Sequence, residues 1–347
     1  MTQFVYLSNA LSGTISRYRF QQGVLSLLGE TEVGFMVMPM TISPCHNYLY
    51  AAVRSEPFRI VQFGIDLLTG DLSIVRESLV NESIVTLSTD NSDQWLLAAS
   101  FNQHRVSITA LDDLGQLTDQ TTAIQHNGPC HMFRFSPENK WMVATAFGQD
   151  KLHVYPRPNN DASVGMPVFS YDFPQNSGPR HFTFSSCGSV LYVLTEMSAT
   201  ITTFEFNADN GSLIYVAETS VLPLNTLGLK QGLPPAQRVA NDVARVWAAD
   251  IHVTHNGRFL YVSERTLSVI ACFEIADESP VPQYLRYQEV ERQPRSFMIT
   301  DDDQHMLVTG ELANEVSAYS LDASSGSLTK VSSAPCGEGA AWVCMMA

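Results

Sequence analysis

Gly178-Pro179-Arg180-His181 is followed, sixteen residues after its arginine, by Glu196. A near copy, Gly128-Pro129-Cys130-His131, lies fifty residues earlier, and Gln293-Pro294-Arg295-Ser296 is a weaker copy. A short module that recurs while its charged residues change reads as a ring of repeats around a shared pocket. Aligning the residue that closes the first strand of each unit gives Pro44, Asp90, Pro137, Ser186, His255 and Asp301, spaced by 46, 47, 49, 69 and 46. A polar turn follows each anchor, then a short apolar run such as Tyr48-Leu49-Tyr50-Ala51-Ala52-Val53 or Leu191-Tyr192-Val193-Leu194. These runs, dense in β-branched and aromatic residues, read as buried strands.

A second signal has the same period. Gly-x-Leu occurs at Gly23, Gly70, Gly115, Gly211 and Gly326, each after a polar turn, and each reads as a hairpin glycine supplying φ > 0 before an outer strand. Four strands per unit of about 47 residues is the content of a β-propeller blade. Six complete units leave residues 4–33, which supply three strands, and 340–346, which supply an innermost one. The expected fold is all-β: one domain over 1–347, a seven-bladed β-propeller of four-stranded blades. Its seventh blade is built from 1–33 plus 335–347, so that N- and C-terminal strands close the ring without an unpaired edge. The long spacing contains an insertion, 222–246, rich in Pro, Gly and polar residues, between blades 4 and 5. It reads equally as a lid over one face or as a passive surface excursion.

The 347 residues are 45 % hydrophobic and 16 % charged, enough for a packed core and against disorder. A net charge of −15 disfavours nucleic acid and anionic membrane surfaces, and makes any arginine cluster informative. The six cysteines show no metal-ligand spacing and read as reduced and inert. The first residues lack a basic, then apolar, secretory pattern, and no apolar run approaches the roughly 18 residues of a membrane span. A cytoplasmic protein is expected, monomeric or weakly homo-oligomeric.

Within a blade the start of the innermost strand and the end of the next lie together at one mouth of the central channel. Arg180 and Glu196 stand in that relation. His131 and Arg295 start innermost strands; Asp250 and His252 lie early in another, on one face. Glu264, Arg265 and Glu311 end second strands, with Glu196, Glu264 and Glu311 at equivalent positions; Arg54 follows another, and Lys151 lies just beyond that position in blade 3. Each also has a structural reading: His131 and His181 as partners of channel carbonyls, and the arginines as partners of the glutamates. His252-x-x-His255 lacks a third ligand at a suitable spacing, so no metal is expected. Nucleophile-elbow, phosphate-loop and dinucleotide motifs are absent, and no cofactor is expected.

At these residues the whole chain resembles the lactonase family of seven-bladed propellers. The landmarks are Tyr48-Leu49-Tyr50 with Val53-Arg54, Cys130-His131, Gly178-Pro179-Arg180-His181, Trp247-Ala248-Ala249-Asp250-Ile251-His252, Asn256-Gly257-Arg258-Phe259-Leu260-Tyr261, Arg265-Thr266, Gln293-Pro294-Arg295 and Trp342-Val343. The family includes bacterial 6-phosphogluconolactonases and fungal 3-carboxy-cis,cis-muconate lactonizing enzymes; the Trp247–His252 landmark is nearer the bacterial type. The resemblance implies a catalytic set of His131, Arg180, Glu196 and Arg265. Arg54, His181, Asp250, His252, Arg295 and Glu311 would contact a small anionic sugar lactone. The segment Phe147-Gly148-Gln149-Asp150-Lys151 lacks the lysine expected earlier in it, leaving Lys151 as a substitute. The implied reaction is lactone hydrolysis, with either His131 or Glu196 as the base that activates water and arginines holding negative charge. Carboxymuconate lactonization, or a propeller that binds without catalysis, are the rival readings.

Overall fold

The structure, a computed structural model, describes residues 3–238 and 243–346. Met1, Thr2 and Ala347 of the expected seventh blade, and 239–242 of the expected insertion, lie outside the described residues. The chain forms seven four-stranded antiparallel sheets arranged as a ring, each winding from an innermost strand outward. Blade 1 is Val37–Ile42, Tyr48–Val53, Arg59–Ile65 and Leu72–Leu79; blade 3 is Met132–Phe135, Trp141–Ala146, Lys151–Pro156 and Phe169–Asp172; blade 4 is Pro179–Phe184, Val190–Thr195, Thr200–Phe206 and Leu213–Ser220. Blade 5 is Ala248–Val253, Phe259–Glu264, Val269–Ala276 and Ser279–Glu289, and blade 6 is Pro294–Ile299, His305–Gly310, Glu315–Leu321 and Leu328–Pro335. In blade 7, Ala340–Met346 is the innermost strand and pairs with Gln3–Asn9, so the two ends of the chain share one sheet. The blade boundary differs slightly from expectation. Pro335 pairs with Glu315 and belongs to blade 6, because the turn that starts blade 7 comes only at 338–339.

The core lies between blades. Tyr192, Leu194 and Ile201 of blade 4 pack against Ile251, Val262 and Phe273 of blade 5, each at most 1 % exposed. Each such side chain contributes about 1.5–3 kcal/mol by leaving water. The outermost strands Leu72–Leu79 and Leu117–Gln125 are mostly exposed and have no fully buried residue, which explains their weaker sequence signal. The hairpin glycines also fasten adjacent blades. Gly70, at φ 70°, accepts a hydrogen bond from Tyr6 of blade 7 at 2.9 Å, and the ring of Phe4 lies where a Cβ would stand. Tyr50 meets Gly115 and Tyr261 meets Gly326 in the same way, which is why the glycine and the inner-strand tyrosine share one period.

Between blades 4 and 5 the inserted segment is a packed strap. Leu222, Leu229 and Val246 are buried in the inter-blade core, and the Gly232 amide donates to the Met197 carbonyl at 2.7 Å. A parallel bridge joins Lys230 to Arg245. The strap thus runs beside the channel mouth at which Arg180 lies.

Candidate functional site

Strand register sorts the mouth residues. Glu196, Arg265 and Glu311 donate their amides to the carbonyls of Gly178, Trp247 and Gln293, and Arg54 donates to Met36. These four occupy one repeat position, the residue after the second strand. Glu264 does not. It pairs with Ala248 within the strand, one residue earlier, and its carboxylate accepts the amides of Trp247, Thr266 and Leu267 at 2.7–3.1 Å. Glu264 therefore builds a turn, and its expected equivalence to Glu196 fails by that single residue.

A second correction concerns the repeated Gly-Pro-x-His. The hairpin amides Ser136 and Ser185 bond the carbonyls of Trp141 and Val190 in the same manner. Counting back five residues from each places His131, not Cys130, at the level of Arg180, while Met132 corresponds to His181. Arg295 shares Arg180's level, since Pro294 and Pro179 pair with Gly310 and Thr195 respectively. His131, Arg180 and Arg295 thus point toward the mouth from three blades.

Arg180 and Arg265 converge on Glu196. Arg180 Nε and Arg265 Nη2 each lie 2.9 Å from Glu196 Oε2, and all three side chains are at least nine-tenths buried. The other oxygen, Oε1, accepts from Arg238 Nη2 at 2.7 Å and Trp247 Nε1 at 2.9 Å. Arg180 also donates to the Ala249 carbonyl, and Arg265 to those of Trp247 and Ala248. Burial raises the Glu196 carboxyl, but Arg265, Arg180 and Arg238 more than offset it and hold it at about 2. Burial pushes Arg180 down to about 9 and Arg265 to about 10, with Glu196 opposing, so both stay charged near neutrality. A carboxylate that already accepts four donors is a poor proton acceptor. The geometry makes Glu196 an anchor for guanidiniums.

Further round the mouth, Arg295 Nη1 meets Glu311 Oε1 at 3.0 Å, while its buried Nε has no partner among the described residues. Arg54 donates to Ser83 Oγ at 3.2 Å and lies near Met38 Sδ; burial, then Arg295, lowers it to about 10. Both arginines keep donors unengaged by carboxylates. Lys151, expected as a substitute phosphate ligand, instead lies on the third strand of blade 3, 2.5 Å from Asp172 of the fourth strand. Its position on an outer strand removes it from the mouth.

The histidines form a separate group just inside. His131 and His181 lie edge to face, ring centres 5.0 Å apart. His131 abuts Phe101 and Phe147, and its buried Nδ1 has no partner among the described residues. Burial, then Arg180, His181, Arg295 and Arg265, holds it well below the ordinary imidazole value. His181 Nδ1 lies 2.7 Å from Asp250 Oδ1, and His252 Nε2 3.3 Å from Asp250 Oδ2. His181, Asp250, His252 and Arg134 line a channel cavity of about 400 Å³ on the far side of the mouth. His255 turns away to Asp301 and Asp303, and among the described residues no group of three or more His, Cys, Asp or Glu is arranged to hold a metal ion.

Three participants escape the sequence patterns. Arg238 comes from the aperiodic strap, so no repeat position marks it. Trp247 has Arg265 and Arg238 stacked on it at 3.7 and 4.3 Å, yet reads in sequence only as part of a landmark. Arg134 faces the channel from the innermost strand of blade 3, where simple alternation could have placed it.

The comparisons agree with this architecture from end to end. The chain is 27 % identical over 344 residues to the 6-phosphogluconolactonase of Klebsiella pneumoniae (strain 342), covering 99 % of this chain and 98 % of that protein. It is 28 % identical, with the same coverage, to the 6-phosphogluconolactonase of Cronobacter sakazakii. Among solved structures, the periplasmic gluconolactonase of Pseudomonas aeruginosa superposes with a TM-score of 0.84 at 20 % identity, over 100 % of this chain and 99 % of that one. The family model described as "Lactonase, 7-bladed beta-propeller" matches residues 4–345, and the chain belongs to that family.

Proposed function

We propose that this protein hydrolyses a sugar δ-lactone bearing an anionic group, 6-phospho-D-glucono-1,5-lactone being the substrate that fits best. One observation carries this reading beside the family relation. Among the described residues at the mouth, five guanidiniums, from Arg54, Arg180, Arg238, Arg265 and Arg295, face two carboxylates, Glu196 and Glu311, in a chain of net charge −15. Concentrating positive charge in a partly dry pocket of an acidic protein draws anions inward. Arg180 and Arg265, fixed by Glu196, present oriented N–H donors to the oxyanion that develops at the lactone carbonyl. Arg54 and Arg295, with donors unspent on carboxylates, hold a phosphate as planar forks. Lactone opening is acyl transfer to water, and these groups supply it with charge stabilisation, while the proton of the attacking water needs a side-chain base.

The cytoplasm is the proposed compartment: all six cysteines are free, which suits a reducing environment. Among the described residues no helix is long and apolar enough to cross a membrane. The acidic surface favours neither nucleic acid nor anionic membranes, and a monomer or weak homo-oligomer is proposed.

The test uses freshly made 6-phosphogluconolactone with a 6-phosphogluconate dehydrogenase read-out. Wild-type protein accelerates opening above the uncatalysed rate, and Arg180→Ala, which leaves Glu196 with Arg265, Arg238 and Trp247, removes the acceleration. Wild-type rates equal to the blank would sink the reading. Loss of carboxymuconate absorbance would then point to lactonization, and inactivity on both to a binding propeller.

A further inference from the structure

Two imidazoles lie buried just inside the mouth, ring centres 5.0 Å apart, and the structure treats them differently. His131 has no carboxylate partner among the described residues; its neighbours are Phe101, Phe147, His181 and the charges of Arg180, Arg265 and Arg295. Nothing fixes its tautomer, and nothing would balance a proton gained there. His181 has both. Asp250 is carried by the adjacent blade at the level of His181, and its Oδ1 accepts at 2.7 Å from Nδ1. Asp250 is itself held by the amides of Ile251 and Phe297, and its amide donates to Ser263 Oγ. The bond places the ring proton on Nδ1, so Nε2 carries the lone pair, and this buried Nε2 has no hydrogen-bond partner among the described residues. A polar atom that is buried, oriented and unpartnered costs stability and calls for an explanation.

Resting on the lactonase reading above, we infer that His181, rather than His131 or Glu196, is the base that activates water, and that Asp250 is its positioning residue. His181 Nε2 takes a proton from water as the water oxygen bonds to the lactone carbonyl carbon. The ring C–O bond then breaks, and the departing alkoxide recovers that proton from the imidazolium, leaving hydroxyl and carboxylic acid; the acid loses its proton to solvent. Asp250 balances the transient imidazolium without itself becoming protonated, as carboxylates do in hydrolase triads. His131 stays neutral beside the mouth. The groups facing His181 are Arg180 on its own strand, Asp250 and His252 from blade 5, and His131 and Arg134 from blade 3. Burial, then Arg180, lowers His181 to about 4, with Asp250 opposing, so the base is free through the neutral range.

The experiment is a pH–rate series on intact wild type, His181→Gln, His181→Ala and Asp250→Asn, with 6-phosphogluconolactone and blank subtraction. His181→Gln is expected to lose about 10²-fold or more in kcat with little change in KM, the usual worth of a general base. Added imidazole, which the channel cavity beside His181 admits, partly restores His181→Ala. In Asp250→Asn, loss of the carboxylate makes the imidazole harder to protonate, so the acid limb of kcat moves to lower pH. That movement is the decisive reading, since loosened packing alone lowers the rate without displacing the limb. An acid limb unchanged in folded Asp250→Asn, or wild-type kcat in His181→Gln, overturns the inference and leaves the lactonase reading standing. A wild type no faster than the blank overturns both.

Discussion

At the scale of residues, the mouth is held by one buried carboxylate. Glu196 gathers Arg180, Arg265 and Arg238, and desolvated guanidiniums without it would repel one another. Glu196→Gln is therefore expected to destabilise the fold by roughly 3–5 kcal/mol, the usual cost of breaking a buried pair by removing one partner. Urea unfolding at neutral pH measures it, and a loss under about 1 kcal/mol would show the cluster to be solvent-screened. The pH dependence has a definite sign. The folded Glu196 carboxyl sits at about 2 against an ordinary 4.5, so its contribution is complete above pH 4.5 and drains away as pH falls toward 2. The wild-type melting temperature should drop over that window more steeply than that of Glu196→Gln. In sequence, the charged residues at strand ends could be picked out because charge is conspicuous there, and Arg54, Arg180, Glu196, Arg265, Arg295 and Glu311 do gather at the mouth, whereas Glu264 and Lys151 do not. Their division of labour could not be read there. That Glu196 is saturated by four donors, and that His181 rather than His131 has a carboxylate partner, depends on contacts between blades 69 residues apart.

At the scale of elements, hairpin registers and the strap decide which side chains meet. The one-residue offset between His131 and His181 is invisible in Gly-Pro-x-His, since both copies match letter for letter at three positions. It follows from where each strand's turn begins, a property of backbone pairing. The strap was legible only as an interruption of the period; its packing of Leu222, Leu229 and Val246 and the reach of Arg238 are tertiary facts. Arg238 contributes positive charge and shares the load of Glu196, so its removal leaves Glu196 drawing harder on Arg180 and Arg265. A hydrogen bond to a charged group contributes about 1.5–3 kcal/mol, and 1.4 kcal/mol is about tenfold in affinity. Arg238→Ala should raise KM for the phosphorylated lactone about tenfold and lower stability by about 1.5–3 kcal/mol, less than Glu196→Gln, because the strap's apolar anchors remain. Equal KM values in steady-state kinetics would reduce the strap to packing.

At the scale of the whole molecule, the fold was readable because a ring of similar blades writes its period into the sequence twice, once in inner strands and once in hairpin glycines. Both signals come from local chemistry repeated, which a single chain displays without any knowledge of contacts. Ring closure was readable as a remainder, three strands at one end and one at the other. Its geometry has a further consequence. Met346 pairs with Phe4, so the end of the innermost strand lies beside the start of its neighbour, as across an ordinary hairpin. Deleting 340–347 removes the buried side chains Ala340, Ala341, Val343 and Met346 and exposes Gln3–Asn9 as an inner edge. With about 1.5–3 kcal/mol lost for each larger side chain against a typical total of about 5–15 kcal/mol, the deleted protein should aggregate. A permutant that joins 346 to 3 through a short turn and opens the chain between Leu68, 90 % exposed at a hairpin tip, and Thr69 keeps every inner strand paired. It should melt at or above the wild-type temperature in circular dichroism and open the lactone at the wild-type rate. A permutant that unfolds as readily as the deletion would show that blade 7 is held by something other than this pairing.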